Sequence, residues 1–247
     1  MRAWGAAVWA GPWWEAFMLG VVRRVQARAD PQPWWMPRRV LTVVSADVDA
    51  ASGVAAIWAL WRPKSSRTRE HTELLEWHDE QWQYLGGGWG DGEGDDGADV
   101  DVLDVRHTAG SLSLTHRLDP PDSPAAAPWI GCDIVRLGPD VGHVLIGARR
   151  IEAPEQRRLI AVWTSPRATG RGVRPVIAAL ARDGTELSRL GPHDALDTHT
   201  WARVRDELQP ACFGSRLRRR TGTPECGPPG CPSACGQFAG QGTWGEW

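Results

Sequence analysis

The apolar positions along this chain change period twice. Trp14, Phe17, Met18, Val21, Val22 and Val25 recur at i, i+3, i+4, i+7, i+8 and i+11, the stripe of an amphipathic α-helix. Arg23, Arg24 and Arg28 sit toward its C-terminal end, where the helix dipole favours cations. The helix is expected to stop before Pro31, because a residue preceding proline avoids the helical region.

From Val40 the helical period gives way to β-branched and aromatic runs. Segments 40–49 and 54–62 are apolar on both sides and are joined by a turn at Ser52 and Gly53, as expected of two strands covered on both faces. In 72–88, Leu75 and Trp77 alternate with Glu76 and His78, and Trp82 and Tyr84 alternate with Gln81 and Gln83, with Asp79 and Glu80 as the turn. Segment 111–118 alternates most clearly: Leu112, Leu114, His116 and Leu118 against Ser111, Ser113, Thr115 and Arg117, one dry face and one wet. Further strands read at 100–106, 130–137, 143–151, 158–164, 173–181 and 186–190. The last two are joined through Asp183 and Gly184, taken as a positive-φ pair. After them, Trp201, Val204 and Leu208 share one helical face, with Thr198 or Thr200 as N-cap and Pro210 as stop.

The prediction is a mainly β protein: an antiparallel β-sandwich, Ig-like or related, of about ten short strands, with an N-terminal amphipathic helix and a short C-terminal helix. Residues 1–35 form the helical extension and 36–209 the sandwich with its closing helix. Residues 210–247 are Gly, Pro, Ser, Cys and Arg with almost no aliphatic content, so disorder is expected there. The Gly-rich loop 85–99 and the Pro-rich loop 119–128 are expected to be mobile.

Composition adjusts this picture. Lys64 is the only lysine, Asn is absent, Tyr84 is the only tyrosine and Trp occurs 16 times. That bias follows GC-rich codons, points to a high-G+C bacterium, and lowers the weight of any argument from tryptophan or arginine abundance. The formal charge of −2 argues against nucleic acid as a partner. The acidic stretch from Asp91 to Asp104 and the basic knot at Arg216–Arg220 read as solvated segments. Residues 3–22 are long and apolar, but Pro12, Glu15 and the Ala, Gly and Trp content oppose a membrane span. No cleavage site marks a signal peptide, so a cytoplasmic location is expected. Membrane contact through residues 1–28 is disfavoured, since the basic residues cluster at one end, and the helix is expected to pack on the sandwich, with Trp34 and Trp35 as a staple.

Chemical motifs are sparse. Cys212, Cys226, Cys231 and Cys235 lack the paired knuckles of a zinc site, the stretch from Asp91 to Val102 lacks the Gly and Glu of an EF-hand, and neither metal nor cofactor is predicted. Cys132, in an apolar run, reads as a core residue. No nucleophile motif is present, and a constellation of Cys132, His143 or His193, and Asp194 is the only catalytic alternative. Exposed aromatics on a sheet face suit a ligand or partner: Trp82, Trp89 and Tyr84 are the predicted binding residues, with Trp82 and Trp89 the exposed pair. The functional expectation is a non-catalytic binding or interaction module for an unidentified protein or small molecule. The alternatives are a small hydrolase-like enzyme and a membrane-peripheral protein held by its first helix.

Overall fold

The computed structural model describes residues 11–91, 100–114, 128–166 and 172–208, which belong to one compact unit. The C-terminal segment, with four of the cysteines and the basic knot, lies outside the described residues, as do His116 and most of the Gly-rich and Pro-rich loops.

The fold is mainly β, with three antiparallel sheets, an N-terminal helix and a short C-terminal helix. The outer sheet is a meander of β1 (Leu41–Asp49), β2 (Val54–Trp61), β3 (Arg69–His78) and β4 (Gln81–Asp91). The middle sheet has the order β5-β6-β9, from β5 (Leu103–Leu112), β6 (Trp129–Leu137) and β9 (Arg158–Ser165). The third has the order β11-β10-β7-β8, from β7 (His143–Ile146), β8 (Arg149–Glu152), β10 (Ile177–Leu180) and β11 (Glu186–Leu190).

Strand alternation divides the apolar residues into three cores. Helix α1 (Pro12–Gln26) buries Trp14, Phe17, Met18, Val21 and Val22 against Leu41, Val43, Ala55, Ile57 and Leu75 on one face of the outer sheet. Val54, Ala56, Trp58 and Leu74 on the other face meet Ile130, Cys132, Ile134, Ile160 and Val162 of the middle sheet, which is the sandwich proper. The reverse face of the middle sheet, through Val135, Leu159, Ala161 and Trp163, packs on Val144, Ile146, Ile177 and Ala179 of the third. Strands covered on both faces explain why segments 40–49, 54–62, 130–137 and 158–164 carry apolar residues at both alternating sets of positions. At roughly 1.5–3 kcal/mol per fully buried large side chain, the α1 stripe is a major contributor to the fold. No helix among the described residues is long and apolar enough to cross a membrane.

Two seams tie the layers together. Along β9, Ser45 Oγ accepts from Ile160 N–H at 3.0 Å and Asp47 Oδ2 from Val162 N–H at 2.8 Å. Arg149 of β8 grips Asp47 with both Nη atoms at 2.6 Å and donates to the Val162 carbonyl at 2.5 Å. The unpaired edge of β9 is thus closed by side chains of β1 and β8, and one carboxylate links all three sheets. At the free edge of β1, Gln32 does the work expected of the Trp pair: its Nε2 donates to the carbonyls of Met36 and Leu41 and its Oε1 accepts from Val43 N–H. Trp35 only meets Phe17 edge-on, and Trp34 is exposed.

Helix α1 ends at Gln26, before Pro31 as expected, with Arg28 in the left-handed conformation at φ 54°. Several other local expectations are corrected. Segment 143–151 is a hairpin turned at Gly147 (φ 59°), not one strand. The 111–118 alternation is not a strand throughout: β5 ends at Leu112, where the buried Glu76 carboxylate accepts from Ser113 Oγ and Leu114 N–H at 2.5 and 2.6 Å and bends the chain. Of the pair at the β10–β11 turn only Gly184 has positive φ, since Ala181 N–H donates to the Thr185 carbonyl and closes a three-residue loop rather than a two-residue hairpin. Helix α2 (Thr198–Leu208) is capped by Asp197, whose Oδ1 accepts from the backbone N–H groups of His199 and Thr200.

Candidate functional site

The inward-facing rows of the sandwich turn charged at one end. On the outer sheet, the row that supplies Val54, Ala56 and Leu74 to the core continues into Trp58, Leu60, Glu70 and Thr72. On the middle sheet, the row of Cys132, Ile134 and Ile160 continues into Arg136 and Arg158, directly opposite one another in register. His107 pairs with Ile134, and a register shift at Arg106 brings that residue to the same place. These side chains line a cleft of about 370 Å³ between the sheets.

Glycine makes the room. Gly88 pairs with Thr72 and Gly90 with Glu70, so both face the cleft, and a Cβ at either would meet nothing within 4 Å. Neither packing nor backbone conformation requires glycine there, and glycine weakens a strand. Gly87 differs: its Cβ would lie 2.0 Å from Glu73 Oε2 and 2.7 Å from the Thr72 carbonyl oxygen.

The electrostatics follow from half-burial. Burial pushes the Glu70 carboxyl above its ordinary range, against the opposing pull of the Trp58 indole N–H and of His107, Arg106 and Arg158. Trp58 is only 6% exposed. Its Nε1–H pulls on Glu70 without reaching full hydrogen-bonding geometry to an acceptor among the described residues. At the rim, Asp91 lies 4.0 Å from Arg69, whose guanidinium stacks over Trp89 at 4.9 Å.

The three predicted binding residues are not a single exposed platform. Trp82 is buried, against expectation, because its face of β4 lies in the core under α1, where it meets Trp77 edge to face at 5.6 Å. Tyr84 and Trp89 are exposed. Their register partners, Leu75 and His71, place both on the α1 side of the outer sheet, and only Trp89 touches the cleft rim. The catalytic alternative is not assembled either. Cys132 lies in the sandwich core, where burial pushes its thiol far up, and His143 contacts Arg150 at 2.6 Å on the third sheet. His193 and Asp194 line a separate cavity with Thr108, Trp163 and Arg174. No group of three or more potential metal ligands occurs among the described residues.

The register, which the sequence does not print, is what brings Glu70, Thr72, Arg136 and Arg158 together. A visible trace exists nonetheless: an arginine at one end of each of two largely apolar runs, "WIGCDIVR" and "RLIAVW", continues an alternation otherwise reserved for the core. Comparison with family models, with curated proteins and with solved structures yields no match to this chain.

Proposed function

We propose that this protein is a non-catalytic binding module whose ligand sits in the cleft at the charged end of the sandwich. The supporting observation is a break in the inside-apolar pattern: core-facing rows end in Glu70, Arg136 and Arg158, while the strand opposite carries Gly88 and Gly90. A fold that half-buries charge at the end of its core rows and leaves out the side chains that would fill the gap sacrifices stability, and such departures mark working sites. The volume suits a small molecule or one side chain of a partner.

A ligand-observed NMR fragment screen on the full-length protein tests this reading. Hits are expected to move the Trp58 indole resonance and to lose binding in the Gly88→Leu variant, whose added side chain fills the cleft. Hits that survive Gly88→Leu, or that perturb only Trp89 and Tyr84, would place the ligand on the outer face and overturn the proposal.

A further inference from the structure

The chemistry of the cleft wall narrows the ligand, on the reading that the cleft is a binding site. We infer that it takes a small ligand with an anionic group, carboxylate or phosphate, seated at Arg136 and Arg158, and with a flat apolar part against Trp58, Leu60 and Ile134. Like charges directly opposite one another on paired strands repel, and Arg136 and Arg158 are such a pair. Arg106 adds a third guanidinium to the same wall. Asp104, in register with Arg136 on its other side, answers part of this charge, and Glu70 answers part from the facing sheet.

An anion between Arg136 and Arg158 would make a charge-assisted contact with each, of the kind the planar guanidinium fork makes with carboxylate and phosphate. The buried Trp58 Nε1–H supplies a neutral donor on the opposite wall, and Thr72 a hydroxyl. Leu60 and Ile134 offer no polar atoms, so the remainder of the ligand is apolar.

The test is titration of full-length protein with phenyl phosphate, benzoate, inorganic phosphate and benzylammonium, followed by calorimetry and by the Trp58 indole N–H resonance. Phenyl phosphate or benzoate is expected to bind and shift that resonance, and whichever binds more tightly identifies the anion. Arg136→Gln and Arg158→Gln are each expected to weaken binding about tenfold or more, the loss of one charge-assisted contact. A cooperative thermal transition in each free variant will show that it folds.

Benzylammonium binding in preference to the anions, with the same Trp58 shift, would overturn the ligand class and leave the cleft as a binding site. Phenyl phosphate binding that persists in Gly88→Leu would remove the ligand from the cleft and overturn both. No response at Trp58 to any of the four probes would refute the anion inference alone, the fragment screen deciding separately on the cleft.

Discussion

Replacing Glu73 by glutamine turns one buried carboxylate into a measurement of what burial costs. The Glu73 side chain is 6% exposed beneath α1, 3.8 Å from His71 Nδ1. Burial pushes its pKa from 4.5 up to about 7, with Tyr84 and Trp14 opposing. The folded protein therefore holds this proton more tightly than the unfolded chain, so the associated stability is fully present below pH 4.5 and falls as pH rises to about 7. The displacement corresponds to about 3 kcal/mol.

His71 slopes the other way. Burial drops it from 6.5 to about 4, so its contribution rises with pH over that interval, and the two ramps largely cancel in the wild-type protein. Glutamine cannot ionise. Glu73→Gln is thus expected to be more stable than wild type by about 1 kcal/mol at pH 5 and about 3 kcal/mol at pH 8.5, read from urea unfolding at both values. An equal gain at the two pH values, or a loss at pH 8.5, would refute burial as the cause.

Other substitutions probe other joints of the fold. Asp47→Ala strips Arg149 of its bidentate partner and leaves Val162 N–H unpaired, and is expected to cost about 3–5 kcal/mol in chemical denaturation; a loss below about 1 kcal/mol would mean that the three sheets do not depend on it. Asp197→Ala removes the cap of α2 and should cost about 1–2 kcal/mol, with increased amide exchange at His199 and Thr200 as the local signature. Gly88→Thr is expected to stabilise by about 0.5–1 kcal/mol, since a β-branched residue replaces glycine in open space. Gly87→Ala should destabilise by more than that, through its clash with Glu73, so opposite signs at neighbouring glycines are the outcome to look for.

The elements were far more legible than their assembly. Two-sided apolar runs announced β1 and β2 because each is covered on both faces, and the stripe of α1 announced a helix with a buried side. Trp82 shows where such reading stops. Alternation correctly put Trp82 and Tyr84 on one face of β4, but whether a neighbour covers that face depends on where α1 lies, and α1 covers Trp82 while leaving Tyr84 exposed. The end of β5 was hidden for a related reason. Glu76, distant in sequence, captures Ser113 and Leu114 and breaks a local pattern that would otherwise continue. The cleft was least legible of all, since its glycines and arginines acquire meaning only when strands separated in the chain are laid in register.

The side-chain seam along β9 also bears on how the molecule is made. Ser45 and Asp47 meet their backbone partners 115 positions further along the chain, so a chain emerging from the ribosome carries those two polar groups with nothing to bind until β9 is synthesised. Contacts of such long separation slow folding. Until they form, the Ile160 and Val162 amide groups of β9 lack the acceptors that close this edge in the folded protein, and an open strand edge is one that a second nascent chain could pair with.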